Sequence, residues 1–587
     1  MIPIPTRADA LAPADDAVPA PTEAPSPALP AALAAAALLA ACGGGGSDGA
    51  VAPPPAPAPT PAPSPAPGPS PSPSPAPAPS TPPSAQEAAR FLAQATLGAP
   101  KSEIASVQAL GYEAWLEQQF TMPRSQSHVD WLTERGYAEE SYRNSTAGLD
   151  NTLWRKLISS PDTLRQRMTL ALSELLVVSV TGVGGPFRQF AVGNYVDILE
   201  ANAFGNYRAL LADVTLSTAM GYYLTYRGNA KANAQGSQPD ENYARELMQL
   251  FTIGLVQLNA DGTPAAGAPE SYGPADVSGL ARVFTGWDLD TSGLATPVPA
   301  TVHRRPMAQV ASRYETGAKS FLGATIAAAT PARAALDAAL DTLFLHPNMP
   351  PFVSRQLIQR LVTSNPSPAY VGRVAAAFAN NGQGVRGDLR AVLRAILLDA
   401  EARDARIAAG PAFGKLREPV VRFLNWARAF KAASPTGVWN IGDLSDAGTR
   451  LGQSPLHAGS VFNFFRPGYV PPNTGFAAYG LQAPEFQITT ESSVAGYVNF
   501  MQNAINGASV GEVRADYTGL LALAANSQAL LDEINLVLAA GQLPANVIAV
   551  LKTALDTIVA TTDAGKRNRV NAALLLVLAS PEYIAQK

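Results

Sequence analysis

One cysteine in 587 residues excludes an intrachain disulfide and any site built on several thiolates, so the fold must be held by packing. Histidine is scarce as well. His128, His303, His346 and His457 form no HExxH or other close pair, which argues against a histidine-rich metal centre. Charged residues make up only 15% of the chain, with a net charge of −4. Arg7 is the one cation among the first 84 residues, against Asp9, Asp15, Asp16, Glu23 and Asp48, so the remainder is electrically neutral. A neutral body offers no general field for nucleic acid, and no nucleic-acid partner is expected; Arg155, Lys156, Arg165 and Arg167 are the exception that would make a local basic patch. No Gly-rich phosphate loop follows a strand, no GxSxG elbow occurs and no dinucleotide fingerprint can be placed, so no common cofactor is indicated.

What the chain does have is apolar material, 47% of its residues, enough for a large core. Most of the excess among its 52 prolines lies before Ser84. There an apolar run from Ala28 ends in Leu39-Ala40-Ala41-Cys42 and is followed by Gly43 to Gly46 and Ser47. The run is too short to span a bilayer, which takes about 20 apolar residues. Its ending resembles the bacterial lipobox, in which the cysteine thiol receives diacylglycerol and becomes the first mature residue. The leader before it is acidic and Pro-rich where such leaders are usually basic. The resemblance implies a signal peptide over 1–41, lipidation at Cys42 and attachment to a cell-envelope membrane; Gly43, rather than Asp, after the cysteine favours the outer one. From Val51 to Pro83 the chain is nearly all Pro, Ala, Ser and Thr, a composition that favours extended polyproline II and a reach on the order of 100 Å. Residues 42–84 therefore read as a tether and 85–587 as the body.

The body reads as mainly α, with many amphipathic helices and an irregular loop or small β insertion around 259–320. Ser84 and Glu87 form a capping-box pattern ahead of the first helix. Helical periodicity recurs at 104–120, 152–158, 164–180, 195–203, 331–344, 352–362, 370–380, 387–398, 418–430 and across 517–584, whereas 454–475 is an aromatic, Pro-rich loop with Phe462, Phe464, Phe465 and Tyr469. The most regular segment is 237–254, with Ser237 and Asp240 as caps, Pro239 in the first turn and Gly254 as the stop. On that helix Tyr243, Leu247, Leu250 and Phe251 share one face, Asn242, Glu246 and Gln249 make a polar stripe, and Glu241 pairs with Arg245.

The run Asp240-Glu-Asn-Tyr-Ala-Arg-Glu-Leu-Met-Gln-Leu-Phe-Thr-Ile-Gly254 resembles the bacterial family known as domain of unknown function 1800. Ala89 to Gly98, Ala203 to Arg208, Phe284-Thr-Gly-Trp287, Lys319 to Gly323 and Pro351 to Arg355 are similar to that family's other landmarks, in order. The resemblance implies a helical architecture and an exported setting, with no established activity. Where relatives often carry a His-containing run at the end of an early helix, this chain has Ala171-Leu-Ser-Glu-Leu175; where they often have His before the Lys-Xaa-Phe-Leu-Gly landmark, it has Tyr314.

Helix physics accounts for Asp240 as a cap and for the Glu241–Arg245 pair, which leaves Glu246, Arg245 and His303 as the candidate catalytic group, and Asn242 and Trp287 as candidate ligand or partner contacts. Asp213 and Asp276 are the other carboxylates of that half. His346, at the foot of a helix, reads as structural. The leading expectation is a lipid-anchored envelope protein that binds or assembles with another envelope protein. The alternative is an envelope hydrolase or metal-dependent enzyme using the carboxylate of Glu246, with carbohydrate binding through Trp287 and the aromatic loop as a third reading.

Overall fold

The computed structural model describes residues 82–587, and Cys42 and the 1–81 leader and tether lie outside them. Helix α1 (Ala85–Ala95) opens the body through the expected capping box: Ser84 Oγ accepts the Glu87 N–H, and the Glu87 carboxylate accepts the Ser84 N–H at 2.8 Å. Helix α2 (Lys101–Thr121) kinks at Gly111, whose φ of 77° a side chain would resist. It lies against α1, where Phe91 meets Trp115 edge-on at 5.3 Å.

Helices α3 (His128–Glu134), α4 (Leu149–Ser159), α5 (Thr163–Leu175) and α6 (Arg188–Asn202) follow. Every residue of α5 is buried, because α2, α4 and α6 pack around it. A helix enclosed on all sides must give each polar side chain a partner inside the protein, and α5 carries Arg165, Gln166, Arg167 and Glu174. Burial also disposes of the local basic patch that the sequence left open. Lys156, Arg165 and Arg167 are buried and Arg155 is half-buried; Lys156 pairs with Glu200, Arg165 with Asp162 at 3.2 Å, and Arg167 donates to the Arg360 carbonyl.

After α7 (Tyr207–Thr215) and α8 (Thr218–Tyr223) comes α9 (Asn242–Glu246), shorter than the 237–254 helix that the sequence predicts. The Ser237 N–H is spent on an Asn233 turn, and Asp240 Oδ1 takes the Asn242 N–H at 2.8 Å, so the helix starts five residues later than Ser237. Beyond Glu246 it widens into a π-helix over Leu247–Thr252. Gly254 ends it in the expected left-handed conformation, its N–H bonded to the Met248 carbonyl.

The 259–320 region is irregular, as expected, and holds α10 (Pro274–Ala281) and a two-residue antiparallel pair, β1 (Trp287–Asp288) with β2 (Ala308–Gln309). A hairpin of β3 (Lys319–Phe321) and β4 (Ala324–Ile326) closes it. Helices α11 (Ala332–Leu345), α12 (Met349–Leu361), α13 (Pro368–Ala379), α14 (Leu389–Leu397), α15 (Ala400–Arg403) and α16 (Ala405–Ala408) follow, with α12 packed on both α13 and α5. Strand β5 (Lys415–Leu416) leads into α17 (Pro419–Ala429) and pairs with β6 (Ala585–Gln586) at the far end of the chain, Lys415 opposite Gln586. Between them run α18 (Gly475–Ala478), α19 (Glu491–Ile505), α20 (Thr518–Leu523), α21 (Ser527–Ala539), α22 (Ala545–Asp556), α23 (Asp563–Leu578) and α24 (Pro581–Ile584). The protein is therefore mainly α, with 24 helices and only small strand pairs among the described residues. A continuous apolar cluster extends from Ala88 to Tyr583, and none of the described helices is long and apolar enough to cross a membrane.

Candidate acid–base site

Glu174, one residue from the end of α5, faces Glu418, the N-cap residue of α17, deep in the core. Two ionised carboxylates have only acceptors to offer each other. Neither oxygen of Glu174 receives a hydrogen bond from a neighbouring donor, nor does Glu418 Oε1, so a single proton held between the two carboxyls satisfies both. Burial first, then the charge of Glu418, holds the Glu174 carboxyl well above the usual range. Burial acts the other way on Glu418, but Lys415, the bond to Glu174, and Arg167 and Arg360 outweigh it and keep Glu418 low. The pair is thus an acid beside a carboxylate.

Several elements fix this arrangement. Arg360, near the end of α12, lies 3.3 Å from Glu174 Oε2 and stacks on Phe465, 4.9 Å from the ring centre. Lys415 of β5 pairs with Glu485 at 3.0 Å and donates to the Arg360 carbonyl at 2.9 Å. Gln453 orients the carboxylate: its Nε2 donates to Glu418 Oε2 at 2.7 Å while its Oε1 accepts the Val420 N–H at 3.1 Å. Against Glu174 the 453–465 stretch closes a small cavity of about 10 Å³, room for roughly one water molecule. Glu174, Gln453, Ser454 and Asn463 line it alongside apolar Leu170 and Phe464, and Ser454 Oγ and Asn463 Nδ2 are buried without partners. Unmet donors and acceptors around a water-sized space are uncommon in a settled core.

The residues singled out from the sequence fall elsewhere. Glu246 is buried with Oε2 unpartnered, and burial raises its carboxyl against the pull of Arg245. Arg245 is exposed and pairs with Glu241 at 3.1 Å, the expected one-turn pair. His303 does not join them: its Nδ1 meets Thr218 Oγ1 at 3.0 Å and its Nε2 the Pro186 carbonyl at 2.8 Å, so both ring nitrogens are engaged. Burial brings the imidazole down to about 4. Asn242 is the first residue of α9, its N–H held by Asp240 and its Nδ2 near Thr225 Oγ1. Trp287 is buried in β1 and presents no stacking face to solvent, which removes the basis for sugar binding through it. Asp276 caps α10 and accepts the Leu322 N–H, and Asp213 accepts from Asn202. His346 caps locally, accepting the Asn348 N–H as a structural residue would.

A second buried cluster, His128, Asp197 and Glu200, has metal-ligand geometry, and most of its ligand atoms are engaged within the protein, His128 Nε2 being the one without a hydrogen bond. Asp197 accepts the N–H groups of His128 and Val129 at 2.8 and 3.1 Å, His128 Nδ1 meets Thr152, and Glu200 takes Gln166 and the Lys156 ammonium. Burial would lift the Glu200 carboxyl, yet His128 and Lys156 together hold it at about 2. The Lys156 ammonium supplies the positive charge beside Glu200.

The model of the family described as protein of unknown function (DUF1800) matches residues 90–585. The chain belongs to that family. No curated protein and no solved structure matches the chain. A lone charged residue between Leu172 and Val178, in a run that is apolar apart from Ser173, is the local signal that marks Glu174.

Proposed function

We propose that the protein is an exported cell-envelope enzyme, anchored by lipid on Cys42 to the outer membrane and held off it by the Pro/Ala/Ser tether, whose body hydrolyses an ester or amide at the Glu174–Glu418 pair. The reading rests on one observation: two buried carboxyls face each other with three of their oxygens unpartnered, and one of them, Glu174, lies on the wall of a water-sized cavity. Ionised Glu418 takes a proton from water as its oxygen attacks the acyl carbon. Protonated Glu174 gives its proton to the departing alcohol or amine. One water is consumed, and transfer from Glu418 back to Glu174 restores the pair. Arg360 offsets the charge, Gln453 keeps the carboxylate aimed, and substrate enters when the 453–465 stretch lifts. The carboxylate chemistry expected at Glu246 thus moves to Glu174.

The test is hydrolysis of a panel of chromogenic esters and anilides by the full-length protein in detergent, beside Glu174→Gln and Glu418→Gln. Loss of turnover of at least a hundredfold in both variants, with unfolding temperatures retained in Glu174→Gln, supports the reading. No hydrolysis by the wild type, or the same rate in Glu174→Gln, overturns it.

A second reading, binding or assembly with another envelope protein, is favoured by an open groove of about 700 Å³. Ala405, Ala408, Ala409, Pro544 and Pro581 line it, a small-residue apolar wall suited to an extended segment of a partner. Isolation of a stoichiometric envelope partner whose binding is lost on Ala408→Arg would favour it.

A further inference from the structure

The stretch that closes the acid–base cavity is held by a second group of titrating side chains. His457 sits between two aspartates, its Nε2 2.8 Å from Asp150 of α4 and its Nδ1 3.3 Å from Asp443 in the loop after α17. Both ring nitrogens can face carboxylates as donors only when the imidazole carries its second proton. The same short run makes the other closing contacts. Gln453 reaches Glu418, and Leu456, at a φ of 61°, accepts the Val180 N–H at 2.9 Å. Ser454, Pro455, Leu456 and Ala458 form the roof of the cavity. Downstream, the stretch becomes half-buried or exposed at Gly459 to Phe464 before Phe465 returns under Arg360. His457 therefore ties the covering stretch to two elements that do not take part in the carboxyl pair.

We propose that His457, clamped by Asp150 and Asp443, is a latch that holds the 453–465 stretch closed over the Glu174–Glu418 pair while the imidazole is protonated and releases it on deprotonation. The functional meaning of the latch rests on the acid–base reading; its operation does not. Burial would depress the imidazole, but Asp150 first and then Asp443 raise it above the ordinary value of 6.5, so the clamp stays charged to a higher pH than a free histidine would. Asp150 and Asp443 are the titrating groups that face it, and no cation is set against it there. Loss of the proton leaves two carboxylates facing one neutral ring with a single N–H, and one of the two ties must break. Opening is then favoured on the alkaline side.

The experiment is amide hydrogen exchange of the full-length protein in detergent at pH 6 and pH 8.5, corrected for the intrinsic pH dependence of exchange, with peptides from α1 and α23 as controls for global unfolding. The expected result is a loss of protection of about tenfold in 453–465 at pH 8.5, with the controls unchanged. His457→Gln should exchange at pH 6 at the rate the wild type reaches at pH 8.5. Asp150→Asn should lower the midpoint of the wild-type transition. If a variant fails to fold, a proton-NMR titration of the wild-type His457 ring answers the same question: a midpoint above 6.5 that coincides with loop exchange supports the latch. Equal protection at both pH values, or protection of His457→Gln equal to wild type at pH 6, overturns it. Exchange is measured without substrate, so a working latch over a pair that hydrolyses nothing would sink the enzyme reading alone, and a catalytic pair under a pH-indifferent loop would sink the latch alone.

Discussion

A carboxyl that keeps its proton in the core makes the fold pH-dependent in a direction opposite to most acidic residues. Because the folded value of Glu174 is raised, its contribution to stability is complete below the unfolded value of 4.5 and is lost as pH rises through the raised folded value. Glutamine in its place can donate to Glu418 and cannot ionise. Urea unfolding should therefore find Glu174→Gln as stable as the wild type at pH 4 and more stable at pH 8, whatever happens to activity. A variant less stable at pH 8 than at pH 4 relative to wild type would show that Glu174 is ionised in the native protein. Arg360→Met is the converse, since it removes one of the cations that hold Glu418 ionised and should lower stability by about 1–3 kcal/mol in the same assay. His303 follows its own sign. Its folded value near 4 lies below 6.5, so its contribution is complete above 6.5 and disappears as pH falls through 4, a span of about 3 kcal/mol. Wild type should lose that much more than His303→Gln between pH 7 and pH 4.

At the scale of single elements, the sequence was legible wherever local rules decide the outcome. The Ser84–Glu87 box, the Glu241–Arg245 pair, the Gly254 stop and most helices of the body fall where capping chemistry and periodicity put them. It was misread where a competing local bond won: the Asn233 and Asp240 side chains capture backbone N–H groups that the longer helix would have needed, and α9 starts at Asn242. With the register thus reset and the following turn widened to a π-helix, Glu246 points into the protein rather than along a polar stripe. Gly254 has a second reason to be glycine, because a Cβ there would sit 2.8 Å from the Phe352 ring at a φ of 72°. Gly254→Ala should lower stability by roughly 1–3 kcal/mol, with the loss largest in hydrogen exchange of the 247–254 segment. A change under half of that would mean α12 gives way there without cost.

The acid–base site belongs to the whole molecule, which is why no window of sequence displays it. Glu174, Arg360, Lys415, Glu418, Gln453 and Glu485 come from helix ends, a strand and loops spread over more than 300 residues, and their meeting depends on the packing of α5 against α12 and on β5 pairing with β6 at the other end of the chain. Periodicity names the faces of helices and is silent on which ends converge. The proposed anchor is the reverse case. It is written in consecutive residues, Leu39-Ala40-Ala41-Cys42 and the Pro/Ala/Ser run behind them, and owes nothing to tertiary structure. The two properties should therefore separate. Since the apolar core of the body begins at Ala88, Cys42→Ala should leave its unfolding temperature unchanged. The same substitution should move the protein from the membrane pellet to the soluble fraction and abolish labelling by an alkyne fatty acid, because acyl chains contribute about 0.8 kcal/mol for each buried methylene and little else would bind a neutral body to a bilayer. If Cys42→Ala stays in the pellet without label, the body itself holds the membrane or a membrane partner, and the assembly reading gains what the anchor loses.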